Sequence, residues 1–266
     1  MRGLRTPMYE TDNVSVRTFR SMSTWPRVNA CASSPQVGHR NNDYIAKPGP
    51  TMAAPADLSL QSAIERLALP GIMIGHRLIS ATDESALMPE EARAFAASVA
   101  KARRSSGAAR IVARELLCRA GCEPCAVPKA SSGAPIWPTG FVGSLAHDAR
   151  VAVAAVALRR DFAGIGIDIE PAETLPVELV ELVATASERY LLDAYPYGGR
   201  LLFAAKEAVY KAVAALDGVF LDHHDVEVDI ADLSATVRNG RTVDLRFCIS
   251  SHLVVLAFIP QAAPVQ

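Results

Sequence analysis

The sequence predicts an α+β fold. Runs with the period of helices and runs with the period of strands alternate irregularly, and several strand runs follow each other across short turns. This order favours antiparallel hairpins with packed helices over a doubly wound parallel sheet. The chain has 266 residues, 50% of them hydrophobic, which allows one large domain or two small ones with a proper core.

Helix and strand patterns are regular from Met52 onward. Proline and two carboxylates at Pro89–Glu91 suit the free N–H groups and the dipole of a helix start, and Gly121 suits a helix end. Gly164 and Gly166, inside a strand pattern, indicate a close approach to the strand backbone. The predicted strands are Gly71–Ile79, Phe141–His147, Val151–Leu158, Ile165–Glu170, Asp225–Ile230, Thr242–Ile249 and Leu253–Ile259. The predicted helices are Met88–Arg103, Gly107–Ala120, Thr185–Leu192 and Arg200–Leu216.

The first 51 residues differ from the rest in composition. They are rich in Arg, Ser, Asn, Thr and Pro, poor in acids, and without sustained periodicity. We interpret them as a disordered extension or an over-long start; an organelle transit peptide and a folded segment are the alternatives. The predicted domains are this extension at 1–51, an amino-terminal subdomain at 52–160 and a carboxy-terminal subdomain at 161–266.

The charge balance excludes several classes of function. The formal net charge is -1, so neither a basic surface for nucleic acid nor an acidic tail is indicated. No run of eighteen or more apolar residues exists, which excludes a transmembrane helix. The 5 cysteines, at irregular spacings, do not indicate a disulfide framework. We therefore expect a cytoplasmic, monomeric protein without nucleic-acid or membrane partners.

The strand that ends at Glu170 has two chemically different faces. Ile165, Ile167 and Ile169 point to one side, and Asp168 and Glu170 to the other, because side chains alternate along a strand. Two carboxylates about 4 Å apart repel by roughly 4 kcal/mol at an effective dielectric constant near 20, and Mg²⁺ relieves such repulsion. Taken alone, the pattern is more typical of a strand whose outer face is simply polar.

An alanine-rich helix carries the third carboxylate. Glu207 and Lys211 are four residues apart and therefore neighbours on one face, with Lys206 beside them. By themselves they describe a Glu–Lys pair on a solvated face. Together with Asp168 and Glu170 they describe a Mg²⁺ site with lysines placed for a diphosphate. The spacing does not establish that the helix reaches the strand.

Further candidate ligand contacts lie upstream. His147 ends an apolar strand before a polar turn, so its ring is either a donor to a phosphate oxygen or a structural or exposed side chain. Ser144 is either a ligand contact or a strand-edge hydroxyl. Arg110, Arg114 and Lys129, taken singly, are ordinary surface charges.

Three motifs, in this order, resemble the 4'-phosphopantetheinyl transferase superfamily. They are Gly133–His147 (GAPIWPTGFVGSLAH), Gly164–Glu170 (GIGIDIE) and Phe203–Lys211 (FAAKEAVYK). The likeness is to the longer, siderophore-type branch, which includes enterobactin synthase component D and the surfactin-type enzymes, and it covers about Pro89–Ile259. One departure is Ser105–Ser106, where the family usually has a Glu-Phe pair.

The resemblance implies a pseudodimer of two similar α/β subdomains, each a small, mainly antiparallel sheet with packed helices, and coenzyme A in the cleft between them. It implies that Mg²⁺ is bound by Asp168, Glu170 and Glu207. Glu207 and Lys211 would take part in catalysis, and whether Glu207 is base, metal ligand or both stays open. The residues implied to contact coenzyme A are Arg110, Lys129, Ser144, His147, Lys206 and Lys211.

The implied reaction moves the 4'-phosphopantetheine arm of coenzyme A to a serine of an acyl, peptidyl or aryl carrier protein and releases 3',5'-ADP. Charge develops on phosphate oxygens, so a metal and lysines lower the barrier, and a carboxylate takes the serine proton. Such an enzyme would serve secondary metabolite biosynthesis, for example of a siderophore. The alternatives are a metal-dependent phosphohydrolase acting on a nucleotide pyrophosphate and a non-catalytic relative that binds carrier proteins.

Overall fold

The computed structural model describes residues 58–218 and 220–262 of the protein, and the prediction for 1–51 lies outside them. The helices are α1 Leu58–Leu67, α2 Pro89–Ala92, α3 Ala100–Arg119, α4 Val177–Val183, α5 Leu191–Ala194 and α6 Gly198–Asp217. The strands are β1 Ile72–Leu78, β2 Phe141–His147, β3 Val151–Leu158, β4 Phe162–Pro171, β5 Val226–Asp229, β6 Ser234–Val237, β7 Thr242–Ile249 and β8 His252–Pro260. None of the helices in this part of the chain has the length and apolar composition needed to cross a bilayer.

Two antiparallel sheets organise these residues and confirm the predicted α+β class. The first sheet has the strand order β1-β3-β2, and the second has the order β4-β8-β7-β6-β5. One 20-residue helix packs on each sheet, α3 on the first and α6 on the second. The two halves therefore share a plan, a small antiparallel sheet with a packed helix, and differ in size.

The two sheets share a hydrophobic core through β4. Ile165, Ile167 and Ile169 are 0%, 0% and 1% exposed, and they belong to the same cluster as Val153 and Ala155 of β3. Burying each of these isoleucine side chains contributes about 1.5–3 kcal/mol. The predicted apolar face of this strand is confirmed, and its opposite face is left for α6 and the carboxylates.

Helix α6 lies directly against the backbone of β4. A Cβ atom added at Gly166 would lie 1.8 Å from the carbonyl oxygen of Ala208, and one at Gly164 would lie 2.4 Å from that of Ala212. Such distances are far below van der Waals contact, so only glycine allows this approach. The sequence prediction of a close backbone approach is confirmed, and the approaching element is the helix that carries Glu207 and Lys211.

The predicted boundary between the first two long helices is wrong. Helix α2 gives way to a 3₁₀ turn at Arg93–Phe95, and α3 begins at Ala100 and continues through Gly107. A Cβ atom at Gly107 would lie 1.9 Å from the carbonyl oxygen of Asp83, so this glycine permits a packing contact and does not mark a helix start. The helix also continues unbroken through Ser105–Ser106, where both side chains are buried.

Other differences concern short elements. The helix predicted at Thr185–Leu192 is a 3₁₀ turn at Ala186–Glu188 followed by the short α5. Three elements have no counterpart in the sequence prediction: α1, α4 and β6. Helix α4 exposes most of its apolar side chains, and β6 has only 4 residues, so neither gives a clear periodic signal.

Candidate functional site

Asp168 lies on β4 beneath α6 and is only 6% exposed. Its Oδ1 accepts a hydrogen bond of 2.6 Å from Nζ of Lys211, which also donates to the carbonyl oxygen of Ile167 at 3.1 Å. The second oxygen, Oδ2, is buried and has no hydrogen-bond partner among the described residues. Burial raises the pKa of Asp168, the Lys211 ammonium lowers it, and the Glu207 carboxylate raises it again. A buried carboxylate oxygen without a partner is costly, which makes this oxygen a candidate position for a bound ligand.

Glu170, two residues further along β4, faces a cation from α6. Its Oε2 accepts a 3.0 Å hydrogen bond from Arg200, which also donates to the carbonyl oxygen of Thr174 at 3.1 Å. Burial raises the pKa of Glu170, the charges of Asp168 and Asp148 raise it further, and Arg200 opposes them. The start of α6 therefore helps to neutralise Glu170, while Lys211, further along the same helix, faces Asp168.

Glu207 lies on α6 with 32% of its side chain exposed. Its Oε1 is 3.2 Å from Nε2 of His223, without hydrogen-bond geometry, and the His223 ring stacks on Phe203 at 5.5 Å between centroids. The Glu207 charge raises the pKa of Asp168, and Lys211, one helical turn further along α6, donates a hydrogen bond to Asp168. The helix does reach the strand, as the metal-site prediction requires.

The donor set fits a hard divalent cation. Across residues 58–218 and 220–262, no three or more His, Cys, Asp or Glu side chains are already gathered around one cation position. Asp168 nevertheless offers an unpaired buried oxygen, and its neighbours Glu170 and Glu207 are carboxylates as well. Mg²⁺ needs only one or two protein carboxylates, because waters and substrate phosphates supply its other ligands.

Lys206 occupies a different environment from Lys211. Its ammonium donates to Oε2 of Glu188 at 2.6 Å and to the carbonyl oxygen of His223 at 2.9 Å. The Lys206 and Glu188 side chains are each 1% exposed, and burial lowers the pKa of Lys206 against the opposing charge of Glu188. The structure does not bring this predicted phosphate ligand to the acidic end of β4, because the ammonium is engaged in a buried ion pair.

A pocket opens beside Glu207 on this side of α6. It has a volume of about 320 Å³. Its lining combines the apolar or aromatic side chains of Tyr210, Phe220 and Leu221 with charged and polar side chains. The remaining lining residues are Lys206, Glu207, Asp222, His223 and Val226. Such a lining suits an amphipathic ligand that is longer than a phosphate.

His147 and Ser144 lie on β2 of the first sheet. His147 is the last residue of the strand and keeps access to solvent. Desolvation by the surrounding atoms lowers the pKa of His147, and the positive charge of Lys211 lowers it further. Ser144 is 3% exposed and pairs with Ala155 inside the sheet, so its predicted ligand contact stays a prediction.

Arg110 and Lys129 meet around one aromatic ring. The Arg110 guanidinium lies 4.9 Å and the Lys129 ammonium 5.4 Å from the centroid of Phe95. Arg110 is 4% exposed, donates to the carbonyl oxygens of Val127 at 2.8 Å and Ser106 at 3.2 Å, and has its pKa lowered by burial. The structure thus gathers two of the predicted coenzyme A contacts around Phe95.

Comparison with known proteins decides the family. The model of the 4'-phosphopantetheinyl transferase N-terminal domain matches residues 90–157, and that of the 4'-phosphopantetheinyl transferase superfamily matches residues 164–259. A 4'-phosphopantetheinyl transferase of Nocardia iowensis is 40% identical over 65% of this chain and 80% of its own length. Another, from Streptomyces mobaraensis, is 38% identical over 71% of this chain and 85% of its own. The chain belongs to the 4'-phosphopantetheinyl transferase superfamily.

More distant similarities are shorter. Enterobactin synthase component D of Salmonella typhi is 36% identical over 38% of this transferase and 43% of its own length. The crystal structure of a Thermotoga maritima holo-[acyl-carrier-protein] synthase is 20% identical, covers 38% of this chain and 65% of that one, and superposes with a TM-score of 0.29. That superposition is too partial to bear on the fold, which the sheets and helices described above establish directly.

Sequence reasoning missed four polar partners in this transferase. They are Asp148, Glu188, Arg200 and His223, which contact His252, Lys206, Glu170 and Glu207, respectively. Asp148 follows His147 directly, so its place in the motif was a usable signal. The others lie 16 or more residues from their partners, and no spacing rule connects them.

Proposed function

We propose that this transferase uses Mg²⁺ to move the phosphopantetheine arm of coenzyme A onto a serine of a carrier protein, with release of 3',5'-ADP. The observation that carries the proposal is the buried, unpaired Oδ2 of Asp168 beside the ammonium of Lys211. A cation and a diphosphate would satisfy these two groups together, because each supplies the charge opposite to one of them.

Three carboxylates would hold the metal ion. Asp168 would contribute its free Oδ2, and Glu170 and Glu207, whose charges interact with that of Asp168, would complete the set. When bound, Mg²⁺ would neutralise the diphosphate and stabilise the charge that develops on its oxygens. Arg200 keeps the Glu170 carboxylate in place from the start of α6.

Lys211 and Glu207 would assist the chemical step. The serine Oγ attacks the β-phosphorus, the bond to the leaving 3',5'-ADP breaks, and the serine proton must move to a base. Lys211, anchored by Asp168 and the Ile167 carbonyl, would bind the oxygens of the diphosphate. Glu207 is partly exposed at the edge of the pocket, where its carboxylate would receive the serine proton.

The rest of coenzyme A would contact residues on both sides of this centre. Arg110, Lys129, Ser144 and His147 would serve the nucleotide end, and the buried Arg110 is supported there by two backbone carbonyls. The pocket beside Glu207 has a size and lining that suit the pantetheine arm, which is amphipathic. In this assignment Lys206 forms part of the pocket wall, and its direct contact with the co-substrate stays a prediction.

Two further parts of the proposal concern organisation and pathway. A division near residue 160 is supported by the gap between the two matched family segments, the first of which ends at 157 and the second of which begins at 164.

The similarity to enterobactin synthase component D supports, as the substrate, a carrier protein of siderophore or other secondary metabolite synthesis. We further propose that the enzyme acts as a cytoplasmic monomer.

The test combines the full-length protein, coenzyme A, Mg²⁺ and an apo carrier protein, with intact mass as the readout. We expect the carrier to gain one phosphopantetheine group and 3',5'-ADP to appear in equal amount, and both to stop when EDTA is added. Release of 3',5'-ADP without any carrier would identify a phosphohydrolase. No change in carrier or coenzyme A, with the enzyme folded, would indicate a non-catalytic relative.

A further inference from the structure

A hydrogen bond joins the two sheets beside the candidate site. Asp148 begins the β2–β3 turn of the first sheet, and His252 begins β8 of the second. Oδ2 of Asp148 lies 3.0 Å from Nε2 of His252. An ionised carboxylate is an acceptor, so the histidine Nε2–H donates, and Nδ1 can accept from the hydroxyl of Ser251, 3.0 Å away.

The Asp148 side chain also builds its own turn. Its Oδ1 accepts hydrogen bonds from the backbone N–H groups of Arg150 at 2.6 Å and Val151 at 2.7 Å. Backbone bonds from Asp148 to Val151 and from Ile79 to Arg150 complete the turn. All four stay within the first sheet, so they fix the shape of the turn without fixing its distance from the second sheet.

His252 lies where the acidic strand ends. It is 3% exposed and pairs with Pro171 across the β4–β8 ladder, next to the pair of Glu170 with Leu253. The bond from His252 to Asp148 therefore ties the residue after His147 to the backbone that presents Glu170. In agreement with this proximity, the charge of Asp148 raises the pKa of Glu170.

The bond is well placed to be strong. Burial raises the pKa of Asp148, yet the hydrogen bonds from His252, Val151 and Arg150 outweigh it and hold that pKa below its usual value. A charge-assisted hydrogen bond between groups with little solvent access loses little to competition with water. Few arrangements of the turn satisfy both carboxylate oxygens, so the bond limits where His147 lies.

We propose that Asp148 and His252 are positioning residues for coenzyme A, holding the His147 turn of the first sheet at a fixed place against the acidic end of β4. This inference rests on the proposed function, because coenzyme A must contact both sheets for the spacing to matter. Neither residue needs to touch the substrate. A displaced turn would weaken the contacts of coenzyme A with the first sheet and leave in place the groups on β4 and α6 that act on the diphosphate.

Two variants break the bond from opposite sides in the full-length enzyme. His252→Phe fills the volume of the ring without a donor, and Asp148→Ser keeps a hydroxyl for the turn but does not reach His252. For both, we expect the KM for coenzyme A to rise about tenfold, with kcat and the KM for the carrier changed less than about twofold. Asp148→Asn, whose amide can cap the turn and donate to the histidine, should show a clearly smaller rise.

The control variant weakens an ion pair at the carboxy-terminal end of α6, which takes no part in the Asp148–His252 bond. Asp217→Asn weakens the 2.9 Å contact from Arg241 to the end of α6, and we expect no change in the KM for coenzyme A. Calorimetric titration with coenzyme A alone gives a second readout, in which the two link-breaking variants should bind about tenfold more weakly. Thermal unfolding of each variant establishes the temperature at which it is folded for the assays.

The possible outcomes separate the two proposals. Wild-type enzyme that neither binds coenzyme A nor transfers the arm would refute the proposed function itself. Wild-type enzyme that transfers normally, with folded His252→Phe and Asp148→Ser variants that bind coenzyme A like wild type, would refute only the positioning role. A fall in kcat without a change in KM would refute it as well.

Discussion

Helix α6 carries two lysines that pair with carboxylates at the same distance but in different surroundings. Lys206 meets Glu188 and Lys211 meets Asp168, each at 2.6 Å. In the first pair both side chains are 1% exposed, and Glu188 also accepts from the backbone N–H groups of Thr185 and Val228. In the second pair Lys211 is 27% exposed and Asp168 keeps one oxygen without a partner.

The difference separates a structural ion pair from a candidate binding site. Both carboxylate oxygens of Glu188 accept hydrogen bonds within the protein, so neither needs a ligand as a partner. Asp168 accepts a hydrogen bond from Lys211 through one oxygen, and its other oxygen is buried without a partner among the described residues. Buried polar groups that lack partners are therefore more informative about function than ion pairs as such.

The largest expected effect is the loss of transfer when Asp168, the partner of Lys211, is changed. Asp168→Asn keeps the shape of the side chain but removes the charge that would bind Mg²⁺. We expect transfer to fall at least about 1000-fold, equivalent to roughly 4 kcal/mol in the barrier, while the protein stays folded. The rate of carrier modification, followed by mass spectrometry, measures the first effect, and urea unfolding measures the second. Transfer within tenfold of wild type would remove Asp168 from the metal site.

Breaking the buried Lys206–Glu188 ion pair should lower the stability of the protein. Lys206→Met leaves Glu188 charged and buried, and we expect the free energy of unfolding to fall by about 3 kcal/mol. Adding Glu188→Gln to the same chain should restore part of that loss, because no uncompensated charge then remains. Chemical denaturation of the two variants provides the measurement. If Lys206→Met instead keeps its stability and loses affinity for coenzyme A, the ammonium binds the co-substrate directly.

A smaller effect is expected from a change in the close contact between α6 and β4 at Gly166, because α6 carries both Lys206 and Lys211. Gly166→Ala puts a methyl group against the Ala208 carbonyl, so α6 must shift away from β4. We expect a loss of about 2 kcal/mol in the free energy of unfolding, together with lower transfer per folded molecule. Gly75→Ala is the matched control, since its added methyl meets the end of the Val112 side chain, at 2.9 Å, which can move. Equal activity losses in the two variants would refute the special role of the helix–strand contact.

The smallest effect is the stabilisation by the metal ion itself. At a Mg²⁺ concentration ten times its dissociation constant, binding to the folded state adds about 1.4 kcal/mol, which corresponds to a rise in melting temperature of a few degrees. We expect this rise in wild type and in Lys206→Met, and its absence in Asp168→Asn. Differential scanning fluorimetry with and without Mg²⁺ measures it. A rise of the same size in Asp168→Asn would show that the ion binds elsewhere.

Prediction from sequence succeeded best where one period holds along a whole element. The faces of β4 and the extent of α6 were predicted correctly, because alternation and helical spacing are properties of neighbouring residues. The predicted start of α3 is wrong, because Gly107 is typical of a helix boundary in sequence but serves a close contact with Asp83 in the structure. Short elements such as β6 were missed because four residues give too little pattern.

The sequence by itself determined the family, the α+β class and the acids and lysines of the candidate site. It did not determine which lysine is available to a ligand, since Lys206 and Lys211 lie in the same helix and differ only by about 140° around its axis. Tertiary structure decided that question, because Glu188 and the His223 carbonyl, from segments distant along the chain, enclose one ammonium and leave the other partly open. Helical periodicity fixes the direction in which a side chain points, and packing alone decides what it meets there.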